Sequence, residues 1–430
     1  MLHNCLSINE KNHLTLDNID TVEVAGQFGT PLYLMSENQI TANCQSYVDA
    51  LESAYDDGLI LYASKAFSCK EIYRIVSRLG MGADVVSEGE LYTALKAGMS
   101  PEKLYFHGNN KSRDELVFAL EVNVGHIVVD NAVELEMLNA LAEQLGKKPS
   151  VLFRIKPGID AHTHDFIKTG QIDSKFGTAL ENGEAYENIA LTKEYPNINF
   201  VGIHCHIGSQ IFDESAFLLA TEVMLKFIKK IKNELDIEIK QLNLGGGFGI
   251  KYTKEDVINP IADMIKSIAS KVSDTCEQLC LTPPRLLFEP GRSIVGNAGI
   301  TLYTIGSVKE IKGVRTYVAV DGGMTDNPRY ALYNASYSAI IANNAGAKAD
   351  GLYTIAGKCC ESGDLIGENI ALSAPQVGDT LAVLSTGAYN YSMSSNYNRT
   401  LRPPVVLIKN GFPTVIVKRE TLDDIIRNDI

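Results

Sequence analysis

The chain has 430 residues, 52 acidic against 39 basic, and a formal charge of −13 with 45% hydrophobic residues. That length exceeds what one hydrophobic core usually serves, so two domains, or a large barrel with an appendage, are expected. The acidic balance argues against nucleic acid or an anionic membrane as a partner, and no apolar run nears the roughly 18 residues needed to span a bilayer.

The N-terminus Met1-Leu2-His3-Asn4-Cys5 lacks the basic-then-apolar order of a signal peptide, so a cytoplasmic location and reduced thiols are expected. Thr30-Pro31-Leu32-Tyr33-Leu34 reads as strand. Eight short β-rich runs follow at 59–64, 83–86, 104–106, 126–129, 151–155, 201–205, 241–244 and 286–288. Between them, apolar residues three and four apart predict helices over 69–79, 88–97, 112–121, 132–145 and 214–235. Cys276 and Cys280, four apart on a further helical stretch, have no second pair to complete a zinc site and read as packing.

Eight parallel strands with crossover helices over some 250 residues are what a TIM-type (β/α)8 barrel requires. Nearly every run ends in a polar, charged or glycine residue: Lys65, Ser87, His107-Gly108, Asp130, Lys156, His206, Gly245-Gly246-Gly247 and Glu289. In a barrel these ends converge on the face where the chemistry of such folds is built. For Asp130 and Lys156 taken singly, ordinary strand-end polarity is account enough. After Arg292 come strands without long helices between them, at 300–308, 315–320, 351–356, 380–384, 405–409 and 413–417. They predict a mostly antiparallel β-domain that takes in the N-terminal segment. The expected division is a barrel over 37–292 and a β-domain made of 1–36 and 293–430.

Lys65 closes the apolar run 59–64, and an amine held in apolar surroundings is favoured in its neutral form, able to attack a carbonyl. Its ordinary alternative is a surface lysine at a strand end. Gly245-Gly246-Gly247-Phe248-Gly249 lets backbone N–H groups approach a phosphate, yet it fits neither a G-x-G-x-x-G nor a P-loop pattern. Glu289-Pro290-Gly291-Arg292 ends the eighth run, beside the corner where many barrels bind phosphate. A phosphorylated ligand bearing a carbonyl is thereby expected, and pyridoxal 5′-phosphate satisfies both demands. His204 and His206 read as alternating on one strand, so that only one faces the barrel interior. His162 and His164 lack an obvious third ligand, and no metal is expected.

An ordered set of motifs spans nearly the whole chain. It comprises Tyr62-Ala63-Ser64-Lys65-Ala66, Gly82 to Leu91, Gly108-Asn109-Asn110-Lys111-Ser112, Thr163 to Gly170, His204-Cys205-His206-Ile207-Gly208-Ser209-Gln210, Glu289 to Arg292, Asp321-Gly322-Gly323-Met324, Cys360-Glu361-Ser362-Gly363-Asp364 and Gly387-Ala388-Tyr389. With these motifs the chain resembles the barrel-type, alanine-racemase-like pyridoxal-phosphate decarboxylases. Phe67, where asparagine is frequent, and Tyr330, where proline commonly stands, depart from that family's pattern.

The resemblance implies that Lys65 carries the cofactor as a Schiff base and that Glu289 faces the pyridine nitrogen, a salt bridge to Arg292 being its alternative. It further implies that His206 stacks on the ring, that Asp84 belongs to the cofactor pocket, and that Ser209, Gly247, the 289–292 backbone (Glu289, Pro290, Gly291, Arg292) and Tyr389 address the phosphate. Arg292, Arg329, Tyr333, Glu361 and Tyr389 match substrate-contacting positions. An arginine fork suits a distal carboxylate and repels the distal ammonium of lysine or ornithine, while Glu361 can take a distal amine. A substrate with both groups at its far end is diaminopimelate, whose decarboxylation yields lysine. Cys360 would supply the proton that replaces CO2, since a thiol near its ordinary pKa can donate at neutral pH. The family also implies homodimers in which Cys360 and Glu361 serve the partner subunit's site. A lysine, ornithine or arginine decarboxylase, a racemase, and an inactive cofactor-binding regulator are the competing readings.

Overall fold

The computed structural model describes residues 2–159 and 174–430. The motif Thr163 to Gly170, with His162 and His164, lies outside the described residues. The chain forms two units, one of 44–249 and 258–291, the other of 1–43, 250–257 and 292–430.

In the first unit, eight parallel strands close on themselves: Gly58–Ala63, Gly82–Val85, Leu104–Phe106, His126–Val129, Ser150–Lys156, Asn199–Cys205, Gln241–Asn243 and Arg285–Phe288. Closure comes where the eighth strand pairs with the first, Leu287 opposite Leu59. Side chains alternate along each strand, so one parity fills the interior: Leu61, Tyr105, Val128, Leu152, Val201 and Leu287 form a buried cluster there. Residues two further on, among them His107, Asp130, Arg154 and Glu289, inherit the same inward parity at the C-terminal mouth. The core sets the pitch, and the next inward position carries the chemistry.

Several polar strand-end residues start helices instead. Ser87 accepts from the Glu90 amide to cap Glu88–Lys96, and Ser112 with Glu115 forms a capping box for Arg113–Glu121. Asp130 accepts from the Gly177 amide at 2.8 Å, and Lys156 donates to the Ser174 carbonyl at 3.2 Å.

In the second unit, seven strands run in the order Leu365–Leu372, Gly351–Ala356, Arg315–Val320, Gly299–Ile311, Leu32–Ser36, Val405–Lys409 and Phe412–Val417. The N-terminal strand Leu32–Ser36 is thus internal, antiparallel to Gly299–Ile311 and parallel to Val405–Lys409. Arg315–Val320 and Gly351–Ala356 are also parallel, and the other pairings are antiparallel. The two units depart from the expected division at 37–43, Ile250–Val257 and Arg292, all of which group with the β-rich unit. Ile250 and Tyr252 are buried in a cluster with Tyr303, Ile305, Val318 and Tyr337, and that apolar burial carries the segment into the β-rich unit. Phe67 and Tyr330 have local roles: Phe67 is buried and its carbonyl accepts from Tyr62, whereas the Tyr330 hydroxyl donates to Glu368 at 2.6 Å.

Candidate active site

The barrel mouth gathers Lys65, Asp84, His107, Arg154, His204, His206, Asn243 and Glu289. Lys65 lies in the one-turn helix Ser64–Ala66 after the first strand, and it is exposed there rather than held in apolar surroundings. The turn carries its side chain off the strand and out of the packed interior. Its charge still acts on Asp84 and on His206.

Glu289 is the centre of the buried cluster. Its Oε1 accepts from Asn243 Nδ2 at 2.7 Å, and its Oε2 pairs with His204 Nε2 at 3.1 Å. His107 Nε2 lies 2.8 Å from Oε1 and 3.9 Å from Asp84 Oδ1. Burial by itself would raise the Glu289 pKa, but His107 and His204 outweigh it and hold the carboxyl well below its usual range. Burial pushes His204 down to about 4, further than Glu289 pulls it up.

Asp84 goes the other way. Burial raises its pKa, only partly opposed by His107, and its Oδ1 has no hydrogen-bond partner among the described residues.

His204 and His206 do not take opposite sides of one strand. Residues two apart share a face by the period of a strand, and His206 stands one residue beyond the strand's end at Cys205. Both enter this site. His206 Nδ1 accepts from the Gly246 amide at 3.3 Å, and burial, with the charges of Lys65 and Arg154, holds its pKa well below the usual value.

The two glycine-bearing loops make a close cradle. Ile211 donates its amide to the Gly247 carbonyl at 2.9 Å, which lays 206–211 along 245–249. A Cβ at Gly246 would come within 2.0 Å of the Glu289 carbonyl oxygen, and one at Gly247, whose φ is +111°, within 2.3 Å of the Gly208 oxygen. Pro290 accepts from the Ala63 amide at 3.0 Å, tying the Glu289-Pro290-Gly291 turn to the end of the first strand. Ser209 is half-buried on the first of these loops.

The fit to pyridoxal 5′-phosphate rests on three features: a buried carboxylate held as an anion for a ring nitrogen, an orphaned carboxylate oxygen at Asp84, and backbone brought close where only glycine leaves room for a phosphate.

The β-rich unit holds a second cluster. Arg292 opens the helix Arg292–Val295 and donates Nη1 to Tyr252 Oη at 2.6 Å, while Arg329 opens Arg329–Tyr333 and donates Nη1 to Tyr337 Oη at 2.7 Å. The Arg329 guanidinium lies 4.9 Å from the Tyr252 ring centre, and the Arg292 guanidinium 4.7 Å from that of Tyr389. Both arginines are buried, 7% and 8% exposed respectively. Burial would lower the Arg329 pKa, and Tyr252 and Tyr337 overcome this and raise it. A buried cation among phenols still has strong capacity for a carboxylate.

Tyr333 is half-buried at the far end of its helix, and the hydroxyl that meets Arg329 is Tyr337's. Cys360 and Glu361 are exposed on a turn pinned by Asp364, which accepts from the Cys359 amide at 2.7 Å and the Met324 amide at 2.6 Å.

The sequence pattern assigns no role to His107, Arg154, Asn243, Tyr252 and Tyr337. For His107 and Arg154 the signal was present: each stands two residues after an interior core position, Tyr105 and Leu152. Tyr252 and Tyr337 had none, since only the packing of two distant segments puts both against Arg329.

The chain matches the family model for the pyridoxal-dependent decarboxylase, pyridoxal binding domain, over residues 37–296. Diaminopimelate decarboxylase of Bacillus methanolicus is 47% identical over 418 residues, 97% of each chain. That of Bacillus subtilis (strain 168) is 47% identical over 429 residues, 100% of this chain and 98% of its own. A crystal structure of diaminopimelate decarboxylase from M. jannaschii in complex with L-lysine superposes with a TM-score of 0.92 at 38% identity, covering 100% of this chain and 99% of that one.

Proposed function

Because the chain belongs to the pyridoxal-dependent decarboxylase family, we propose that it decarboxylates meso-2,6-diaminopimelate to L-lysine and CO2, the last step of lysine biosynthesis, with pyridoxal 5′-phosphate as cofactor. The buried Arg292–Arg329 pair, cushioned by tyrosines, is the observation that carries the choice of substrate: it takes a carboxylate and repels a distal ammonium. Among the described residues no helix is long and apolar enough to cross a membrane, which accords with a cytoplasmic enzyme.

When bound, pyridoxal 5′-phosphate supplies a protonated ring that draws off the electron pair left by the departing carboxylate. Glu289 holds the proton on the ring nitrogen, and Asn243 and His204 keep its carboxylate aimed. Lys65 would provide the amine that holds the cofactor's carbonyl, and His206 would lie beside its ring. Asp84 belongs to the same pocket. Ser209, Gly247, the backbone of Glu289 to Arg292, and Tyr389 receive the phosphate. Arg329, with Arg292, Tyr333 and Tyr389, receives the substrate's distal carboxylate, and Glu361 its distal amine. The Cys360 thiol delivers the proton that replaces CO2 at the α-carbon.

CO2 release from meso-diaminopimelate, lysine, ornithine and arginine, measured side by side on the purified holoenzyme, tests the assignment. Diaminopimelate is expected to be preferred by about 10²-fold or more, the scale of a buried charge matched against one opposed. Faster release from lysine or ornithine would replace this reading with that of a basic-amino-acid decarboxylase.

The exposed turn bearing Cys360 and Glu361 supports a homodimer in which each subunit completes the other's site. Lys65→Ala and Cys360→Ala proteins are each expected to be inactive. After dissociation and joint reassembly, random pairing restores about a quarter of the sites. Mixtures that stay inactive while mixed dimers form would show that Cys360 serves its own subunit.

A further inference from the structure

His107 has no part in the cofactor and substrate contacts assigned above, yet its position singles it out. It follows the strand Leu104–Phe106, where inward parity and a backbone bond from its amide to Val85 O at 2.8 Å fix it at the mouth. The ring is 3% exposed and meets the His204 ring edge-on, with centroids 4.8 Å apart. Its Nε2 stands 2.8 Å from Glu289 Oε1 and 3.9 Å from Asp84 Oδ1, without the alignment of a hydrogen bond. Two buried carboxylates therefore share one imidazole edge.

Side by side in a dry site, two carboxylates oppose each other's ionisation. Burial and the neighbouring Glu289 both act to raise Asp84, whereas His107 is the first of the groups that lower it. His107, His204 and Glu289 are also close enough together to suggest a metal site. Ligands around a tetrahedral zinc with bonds near 2.0–2.1 Å would stand roughly 3.3 Å apart. The 2.8 Å and 3.1 Å separations here are those of direct polar contacts instead.

We propose that His107 is a positioning residue for Glu289: set between Glu289 and Asp84, its Nε2 edge keeps the first an aimed anion for a cofactor's ring nitrogen while the second stays beside it. The inference rests on the proposed cofactor, and it deepens that reading. In this arrangement His107 acts through Glu289, and of the two carboxylates it is Glu289 that addresses the ring nitrogen. Without the imidazole nitrogen, burial of Glu289 is opposed only by His204 and Asn243, and the carboxyl takes up its proton at higher pH.

The test compares His107→Phe, which keeps a ring and removes both nitrogens, with His107→Gln, which keeps an N–H. Cofactor affinity of the cofactor-free protein is measured by equilibrium dialysis, and the absorption of bound cofactor is followed across pH. In His107→Phe, affinity is expected to fall about tenfold and the acid-side spectral change to move up by about one pH unit. His107→Gln should recover most of both. Thermal melting of each cofactor-free variant separates these effects from unfolding.

A His107→Phe protein with wild-type affinity and spectrum overturns the inference, as does a His107→Gln protein equally impaired. A wild type that binds no cofactor overturns the functional reading, and this inference with it. A working wild type beside an unresponsive His107→Phe overturns the inference alone.

Discussion

A Lys65→Ala variant is expected to lose decarboxylation of meso-diaminopimelate by about 10⁴-fold or more, the scale on which removal of a covalently acting group is felt. Its fold should survive, because Lys65 is exposed in a one-turn helix and substitution of such a side chain usually changes stability by no more than about 0.5 kcal/mol. Lost activity with unchanged thermal melting therefore isolates chemistry from folding. Borohydride reduction of the wild-type holoenzyme, followed by peptide mapping, should place the cofactor on Lys65. A label on another lysine, or full turnover by Lys65→Ala, would remove Lys65 from the mechanism.

Arg329→Ala is expected to lower kcat/KM for meso-diaminopimelate by a factor of about 10² to 10³, corresponding to roughly 3–4 kcal/mol for truncating one side of a buried charge pair. The preference over lysine should fall with it, because the distal carboxylate loses its partner while lysine loses none. The Tyr337 hydroxyl also loses the guanidinium it meets at 2.7 Å, so a stability cost of about 1–3 kcal/mol is expected alongside. Arg329→Lys serves as the control. It keeps the charge and forfeits the planar fork, and intermediate selectivity would tie discrimination to bidentate geometry. If Arg329→Ala leaves the ratio of diaminopimelate to lysine turnover unchanged, substrate choice is made elsewhere.

These two residues were legible to different depths. Lys65 was marked by its place after an apolar run, and the structure alters its surroundings: the chain leaves the strand at Ala63 and turns, so the amine stands in the open mouth. Arg329 was marked only through resemblance, and its partners had no signature in the sequence. Tyr252 and Tyr337 are separated by a long stretch of chain, and they meet because both belong to one apolar cluster. The histidines show a third case. Two-residue spacing puts His204 and His206 on a shared side, contrary to the expectation that only one faces inward, and that period is legible in the sequence itself.

By itself the sequence determined the element order, the eight-fold rhythm of strand and helix, the inclusion of the N-terminal strand in the β-rich unit, and the motifs that mark the family. Those are properties of local pattern: apolar period, caps such as Ser112 with Glu115, and turn residues act over a few positions and survive in one dimension. Tertiary structure alone decided which groups face one another. Glu289 gains Asn243, His204 and His107 from three other strands or their ends. Arg329 gains Tyr252 from a segment that joins the β-rich unit. Barrel closure and core packing bring such residues within a few ångströms from across the chain, and charge and hydrogen bonding respond to that distance rather than to sequence separation.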